Sequence, residues 1–383
     1  MQFTPRDRTR TVLRGGVPDR VPVMPGYGTW YASRVYQSDM FDLEDGRVSA
    51  ADIIAGVTRK YGCEVWYWQG YGDDIEEIWS DGLSQCASSR ETLDEDNYIE
   101  TVTMRSTSGG ISGQTRHNRF NPEHLISGLV KVPSRDWPIY RACRGNCWKW
   151  AANTSVVEIS EDDLSLGITA FVLTLPVDFW KDLRCDTDRA IMDMFDGESA
   201  MEEAMEWHER YSLEKLKARL EIDPLPDMIH VQGSSSSLSV ISPSIYERYN
   251  LNFINRVCAA AHSKGVLVQI HHCGKSARLV EILYDCTDVD IIHPLEPLPG
   301  GDVDLAEVKK RYGDRLVLMG NLKTYQLMLF GTPAEVKEAA RKCIDDAAEG
   351  GRFILTTGDQ IGRDTPEANV MAMVEAAHEY GRY

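Results

Sequence analysis

Short apolar runs recur along the chain, each closed by polar residues and followed by a helical pattern. The clearest lie at residues 168–173, 228–231, 266–268, 289–292, 316–319 and 353–355. Runs of this length, mostly apolar rather than alternating, predict strands buried on both faces of a parallel sheet. The segments between them carry helical spacing. Val336, Ala340, Cys343 and Ala347 fall on one face of a helix whose start, Thr332 with Glu335 three residues on, is a capping box. Ser242-Pro243 offers an N-cap and a first-turn proline for a helix reaching Ser263, residues 199–220 form a long amphipathic helix, and Thr365-Pro366 opens the last one.

The first half is less regular. A short helix at 5–14 precedes a strand at 19–24, an aromatic loop follows at 27–31, and a helix covers 49–61. The next strand, residues 64–71, is rich in aromatics and ends in Asp73 and Asp74. Residues 76–130 change character: 98–104 alternate polar and apolar, and Ser108-Gly109-Gly110 is a turn, which predicts an antiparallel β-hairpin insertion. About eight strand–helix units remain. They predict a single α/β domain over residues 1–383, a (β/α)8 TIM barrel with the β-rich insertion near its N-terminal part. No Gly-x-Gly-x-x-Gly joins a strand to a helix, so a dinucleotide-binding half is excluded.

Composition narrows the partners. The 383 residues include 43% apolar and 26% charged residues, ordinary globular material. The formal charge of −18 argues against nucleic acid or an anionic membrane as partner. No apolar run reaches the roughly 20 residues of a membrane span, and the charged opening residues 1–8 lack the apolar core of a signal peptide. Nine cysteines, an odd number scattered along the chain, suggest a reducing cytoplasm rather than a disulfide framework.

The chemistry concentrates at predicted strand ends, where a barrel places its site. His271 and Cys273, two apart at the end of a strand, point the same way, while His272 points oppositely. An imidazole beside a thiol suits a borderline-soft cation such as Zn2+, and Asp359 after the last strand can complete an open three-ligand set. His272 and Glu296 are alternative ligands, and a buried thiol beside a satisfied histidine is the plain alternative to any metal. Cys143 and Cys147 have clamp spacing but no second pair at finger distance. Trp30, Tyr31, Trp66, Trp68 and Tyr71 can line an apolar pocket for a flat ligand, with Gln232 and Asn321 as polar contacts. Ordinary core packing is the competing explanation for these rings. Asp73, Asp74 and His230 are candidates for handling a proton.

These residues resemble a known family. The opening residues 5–8 and 19–23, Ser242-Pro243 ahead of the His271/Cys273 strand, the Gly320-Asn321 pair and the ending at 354–359 and 364–369 are similar to the uroporphyrinogen decarboxylase superfamily. The resemblance spans nearly the whole chain and implies the (β/α)8 fold. In the decarboxylase branch an Arg-Gln-Ala-Gly-Arg stretch follows the first strand; here residues 24–29 read Met-Pro-Gly-Tyr-Gly-Thr. Asp359 stands where that branch resembles Gly-His-Gly. The other branch, corrinoid-dependent methyltransferases, has a His-x-Cys-Gly motif that His271-His272-Cys273-Gly274 matches. Its thiol-methylating members complete a zinc site with a cysteine where this chain has Asp359. The resemblance therefore implies zinc and a corrinoid, methylcobalamin or Co(I) cobalamin, supplied by a partner protein. It implies a small methylated substrate, and the aromatic clusters point to O-demethylation of a methoxylated aromatic. A homo-oligomer is compatible with it. The alternatives are a decarboxylase or lyase acting on another cyclic acid, and a non-catalytic barrel that binds a small molecule or corrinoid protein. The His271/Cys273 strand is expected as the sixth of the barrel.

Overall fold

The computed structural model describes residues 3–69, 84–145 and 158–383. Eight parallel strands form the barrel wall: β1 (Val23–Met24) and β2 (Val65–Trp68), then, beyond four strands of the insertion, β7 (Gly167–Thr174), β8 (Met228–Gln232), β9 (Leu267–His271), β10 (Ile291–His293), β11 (Val317–Leu322) and β12 (Phe353–Thr357). Their order in the sheet is β1-β12-β11-β10-β9-β8-β7-β2. The His271/Cys273 strand is therefore the fifth of the barrel, not the sixth.

The wall closes between β1 and β2 through one residue. Glu64 N–H donates to Val23 O (2.9 Å), and the Glu64 carboxylate accepts Val23 N–H (2.8 Å). Arg8 and Arg20 hold that carboxylate at 2.6 and 2.8 Å, fully buried. A single acidic side chain thus finishes a ladder that a two-residue strand is too short to make.

Below the site the lumen is apolar and packed. Met24, Ile168, Ala170, Met228, Ile291, Val317, Met319 and Ile354 fill it, and Val12 and Leu13 of the first helix, Pro5–Leu13, join the same cluster. A second apolar layer lies between the strands and the surrounding helices, which is why the later strands are buried throughout.

The helix starts expected from the sequence are present. Ser242 caps Pro243–His262 by accepting Ile245 N–H. Thr332 and Glu335 form a capping box on Pro333–Ala347. The last helix, Glu367–Tyr380, begins one residue later than the Thr365-Pro366 start implied: Pro366 is its N-cap, and the Thr365 hydroxyl is buried without capping it. The aromatic loop at 27–31 is instead the start of a short helix, Thr29–Val35, capped by Gly28. Seven residues are too few for a periodic signal, and glycine caps without a side-chain hydrogen bond.

The insertion is a four-stranded antiparallel sheet, β3 (Gln85–Asp94), β4 (Asn97–Ser106), β5 (Gly109–Asn118) and β6 (His124–Ser127), in that order. The helix Pro133–Arg144 packs on β4 and β5, while every residue of β3 is exposed. No helix among the described residues is long and apolar enough to cross a membrane.

Candidate metal centre

Strand β9 delivers His271 and the segment just after it Cys273 to the C-terminal mouth of the barrel, and the loop after β12 delivers a third donor, Asp359. His271 Nε2 lies 3.2 Å from Cys273 Sγ, and the Cys273 thiol donates to Asp359 Oδ2 at 3.0 Å. The three donor atoms all lie within 4.8 Å of one another. A tetrahedral cation with bonds of about 2.0–2.3 Å needs donors about 3.3–3.8 Å apart. The two spacings to Cys273 Sγ lie within about half an ångström of that and the third pair lies inside 4.8 Å, so the residues fit a cation after a small adjustment.

The protonation states agree with this fit. Burial holds the His271 imidazole at a pKa of about 4, with His272 adding to the shift, so it is neutral and able to ligate. Burial, and then the Asp359 carboxylate, push the Cys273 thiol far up. Its proton now bridges sulfur and carboxylate, the place a cation would take.

Neighbouring groups hold these donors in place. His293, in register with His271 on β10, puts its Nδ1 2.8 Å from His271 Nδ1. For His271 to ligate through Nε2, its Nδ1 carries the proton and His293 accepts it. Burial, then His271 and His230, keep His293 neutral, and its Nε2 is buried with no hydrogen-bond partner. Glu296 accepts the Gly274 N–H, and burial raises its pKa. His272 turns away, donating from Nε2 to Ser236 O at 3.0 Å with its ring against Tyr246. Of the two alternative ligands, His272 is thus directed out of the cluster, and Glu296 is occupied by the backbone of the motif itself.

His230 donates from Nδ1 to Gln269 Oε1 (2.6 Å), and burial followed by the field of His271 lowers its pKa to about 3. Its ring lies 4.7 Å from that of Trp68 and 5.3 Å from that of His271. Trp66 and Trp68 share a face, as strand alternation predicts, with centroids 6.0 Å apart, and Trp66 stands edge-on to His293. An apolar cleft lined by Tyr27, Trp66, Trp68 and Gln360 takes in none of the three donors, whereas a more polar one with Glu296, Lys323 and Thr324 contains Asp359 and also reaches Gln360.

The other expected contacts are dispersed. Tyr31 is fully buried with its hydroxyl 2.9 Å from that of Tyr61, and Trp30 donates to Ile361 O. Asn321 is buried, bonded to Leu295 O and the Cys343 thiol. Gln232 is exposed at the end of β8, beside His271 in the sheet register. Tyr71, Asp73, Asp74 and Cys147 lie outside the described residues. Reading the sequence overlooked His293, although it closes a strand just as His271 does, and Gln360, which carries no motif.

The fold and site together define a (β/α)8 barrel with an open nitrogen–sulfur–oxygen donor set at its C-terminal mouth. The uroporphyrinogen decarboxylase (URO-D) family pattern matches residues 183–380, just over half of the chain, and the chain belongs to that family. It is 28% identical over 191 residues to the methylcobamide:CoM methyltransferase MtbA of Methanosarcina mazei, covering 49% of this chain and 52% of that protein. It is 30% identical over 154 residues to MtaA of Methanosarcina barkeri, covering 40% and 42%, and 27% identical over 134 residues to the uroporphyrinogen decarboxylase of Dichelobacter nodosus, covering 35% and 36%. The matched region spans about half the length of the methyltransferases, or less. A solved methyltransferase from Methanosarcina mazei shares the fold over 99% of both chains, with a TM-score of 0.61 and 16% identity.

Proposed function

We propose that the chain is a methyltransferase of a corrinoid system, moving a methyl group between a small substrate and the cobalt of a corrinoid carried by a partner protein. The observation that carries this reading is the convergence of His271 Nε2, Cys273 Sγ and Asp359 Oδ2 at the barrel mouth. The similarity to methylcobamide:CoM methyltransferases supports it. His271, Cys273 and Asp359 would hold Zn2+, which when bound supplies Lewis acidity toward a substrate oxygen or sulfur. The corrinoid supplies cobalt as methyl acceptor or donor.

The chain's own residues do the rest. His293 fixes the His271 tautomer, and Glu296 fixes the backbone of Gly274. His230, neutral and oriented by Gln269, leaves its remaining ring nitrogen free to act as a hydrogen-bond acceptor. Trp66 and Trp68 wall an apolar cleft able to take an aromatic ring. A carboxylate in place of a second thiolate leaves the centre harder, suited to polarising an ether oxygen more than to activating a thiol. A methoxylated aromatic is therefore the substrate class we assign.

Metal analysis of purified protein beside His271→Ala, Cys273→Ala and Asp359→Ala tests the centre. One zinc per wild-type chain and loss in each variant is expected; a wild type without metal refutes it. Incubation with Co(I) cobalamin and a panel of methoxybenzenes, methylamines and thiols, followed by methylcobalamin absorbance, tests the transfer. The similarity to uroporphyrinogen decarboxylases keeps a second reading in view. Carbon dioxide release from a cyclic acid, undiminished by metal removal, would establish it.

A further inference from the structure

The loop at residues 233–239, between β8 and the helix Pro243–His262, holds the metal motif along its whole length. Gly233 N–H donates to His271 O (2.9 Å), and Ser236 O accepts from His272 Nε2. Ser237 Oγ donates to Cys273 O (2.7 Å), and Ser239 Oγ accepts Lys275 N–H (3.0 Å). Between them, Gly274 has φ +76°, and a Cβ there would sit 2.5 Å from Ser239 Oγ and 2.6 Å from Ser237 Oγ. The serines thus close over a backbone that only glycine fits. Ser234 Oγ lies 3.7 Å from Cys273 Sγ.

The loop has its own anchor. Asp178, in the first turn of the helix Pro176–Arg184, is 4% exposed and accepts Ser235 N–H (2.6 Å), Ser236 N–H (3.1 Å) and the Ser236 hydroxyl. Lys181 Nζ donates to Ser235 Oγ rather than to this carboxylate. A buried carboxylate satisfied only by neutral donors is costly to keep, and burial raises its pKa to about 6.

We propose that Asp178 and the serine loop are positioning residues for the Cys273 ligand, and that the Ser234 hydroxyl donates a hydrogen bond to the metal-bound Cys273 thiolate. The proposal rests on the metal-centre reading. Only the hydroxyl can donate once the sulfur has lost its proton, and such a bond withdraws electron density from the sulfur.

The test uses the full chain loaded with Co2+, whose thiolate charge-transfer band reports the sulfur directly. Ser234→Ala is expected to keep one cobalt per chain while moving that band to lower energy. Asp178→Asn keeps the side-chain shape but turns an amide N–H2 toward the loop's donors. In chelator competition it is expected to weaken Zn2+ binding about 10- to 100-fold while the far-ultraviolet circular dichroism stays that of wild type. Should Asp178→Asn fail to fold, Ser236→Ala and Ser237→Ala, which each remove one hydroxyl of the clamp, carry the same affinity measurement. An unmoved band refutes the Ser234 hydrogen bond, and an unchanged affinity refutes the anchor. A wild type that binds neither metal overturns the centre and this proposal together, whereas a metal-binding wild type with indifferent variants overturns the proposal alone.

Discussion

Asp359 and Cys273 share one proton in the metal-free chain, and this pair is the most sensitive reporter of the centre. Burial is the first cause of the raised thiol pKa and the Asp359 carboxylate the second. Asp359→Asn removes that carboxylate's charge, so the thiol pKa falls and more thiolate is present at pH 8. Alkylation of Cys273 by iodoacetamide in the metal-free variant is expected to quicken, about tenfold for each unit the pKa falls; a rate equal to wild type would show that burial alone sets it. Much of this site could be read from the chain. Alternation carried just past the end of β9 put His271 and Cys273 on one side and His272 on the other, and a loop after the last strand could carry Asp359 across the mouth to them. Side chains that act through a loop were not legible: Asp178 lies 95 positions before Cys273 and reaches it only through the serine backbone. Tyr31 misled because an aromatic beside a strand end reads alike whether it faces a cleft or, as here, packs under a helix.

At the scale of elements, the weakest join in the barrel is between β1 and β2, where Glu64 substitutes for a ladder. Replacing Glu64 with alanine removes the acceptor for Val23 N–H and leaves Arg8 and Arg20 buried without it. Breaking a buried ion pair in this way costs about 3–5 kcal/mol, to be read from the denaturant midpoint at unchanged slope. Thr332→Ala, which removes one half of a capping box at an exposed helix start, is expected to cost only about 1 kcal/mol. The contrast in magnitude is the check on the closure's role. Helix starts were legible because capping is local: Ser242 and Thr332 act on residues three positions away. The closure was not, since Glu64 reads as the polar edge of a strand until Arg8 and Arg20 fold against it.

For the whole molecule, five histidines dominate the acid response. His208, His230, His271, His272 and His293 are buried, and burial lowers the pKa of each, to about 4, 3, 4 and 4 for the first four and well below the ordinary value for His293. Unfolded, they titrate near 6.5. As pH falls from 7 toward 5.5 the unfolded chain binds protons that the folded chain does not, so stability falls, by about 1 kcal/mol for each histidine. Asp178 works the other way: its folded pKa of about 6 lies above the unfolded value, so its contribution improves as pH falls through that range. Asp182, Asp193, Glu209 and Glu296 are raised in the same sense but less far, so Asp178 is the one strongly shifted carboxyl set against five strongly shifted histidines. The thermal midpoint of the metal-free chain is expected to drop over this interval, and His208→Gln, which keeps a donor for Thr174 O, should shallow the slope by one histidine's share. The barrel itself was legible at this scale from continuous apolar runs. The insertion was legible as antiparallel but not as four strands, because the exposed β3 has no apolar pattern to betray it.

The donor set has one sulfur, and that bears on how the centre meets oxidants. Where two thiolates flank a cation, mild oxidation can join them as a disulfide and expel the metal in a single step. A thiolate opposite a carboxylate has no such partner in the site. Oxidation of Cys273 must instead proceed through a sulfenic acid, which a thiol reductant reverses. If the three donors hold zinc as proposed, the chain should lose metal to peroxide gradually and regain it on reduction, behaving toward oxidative stress as a centre that wears rather than one that snaps shut.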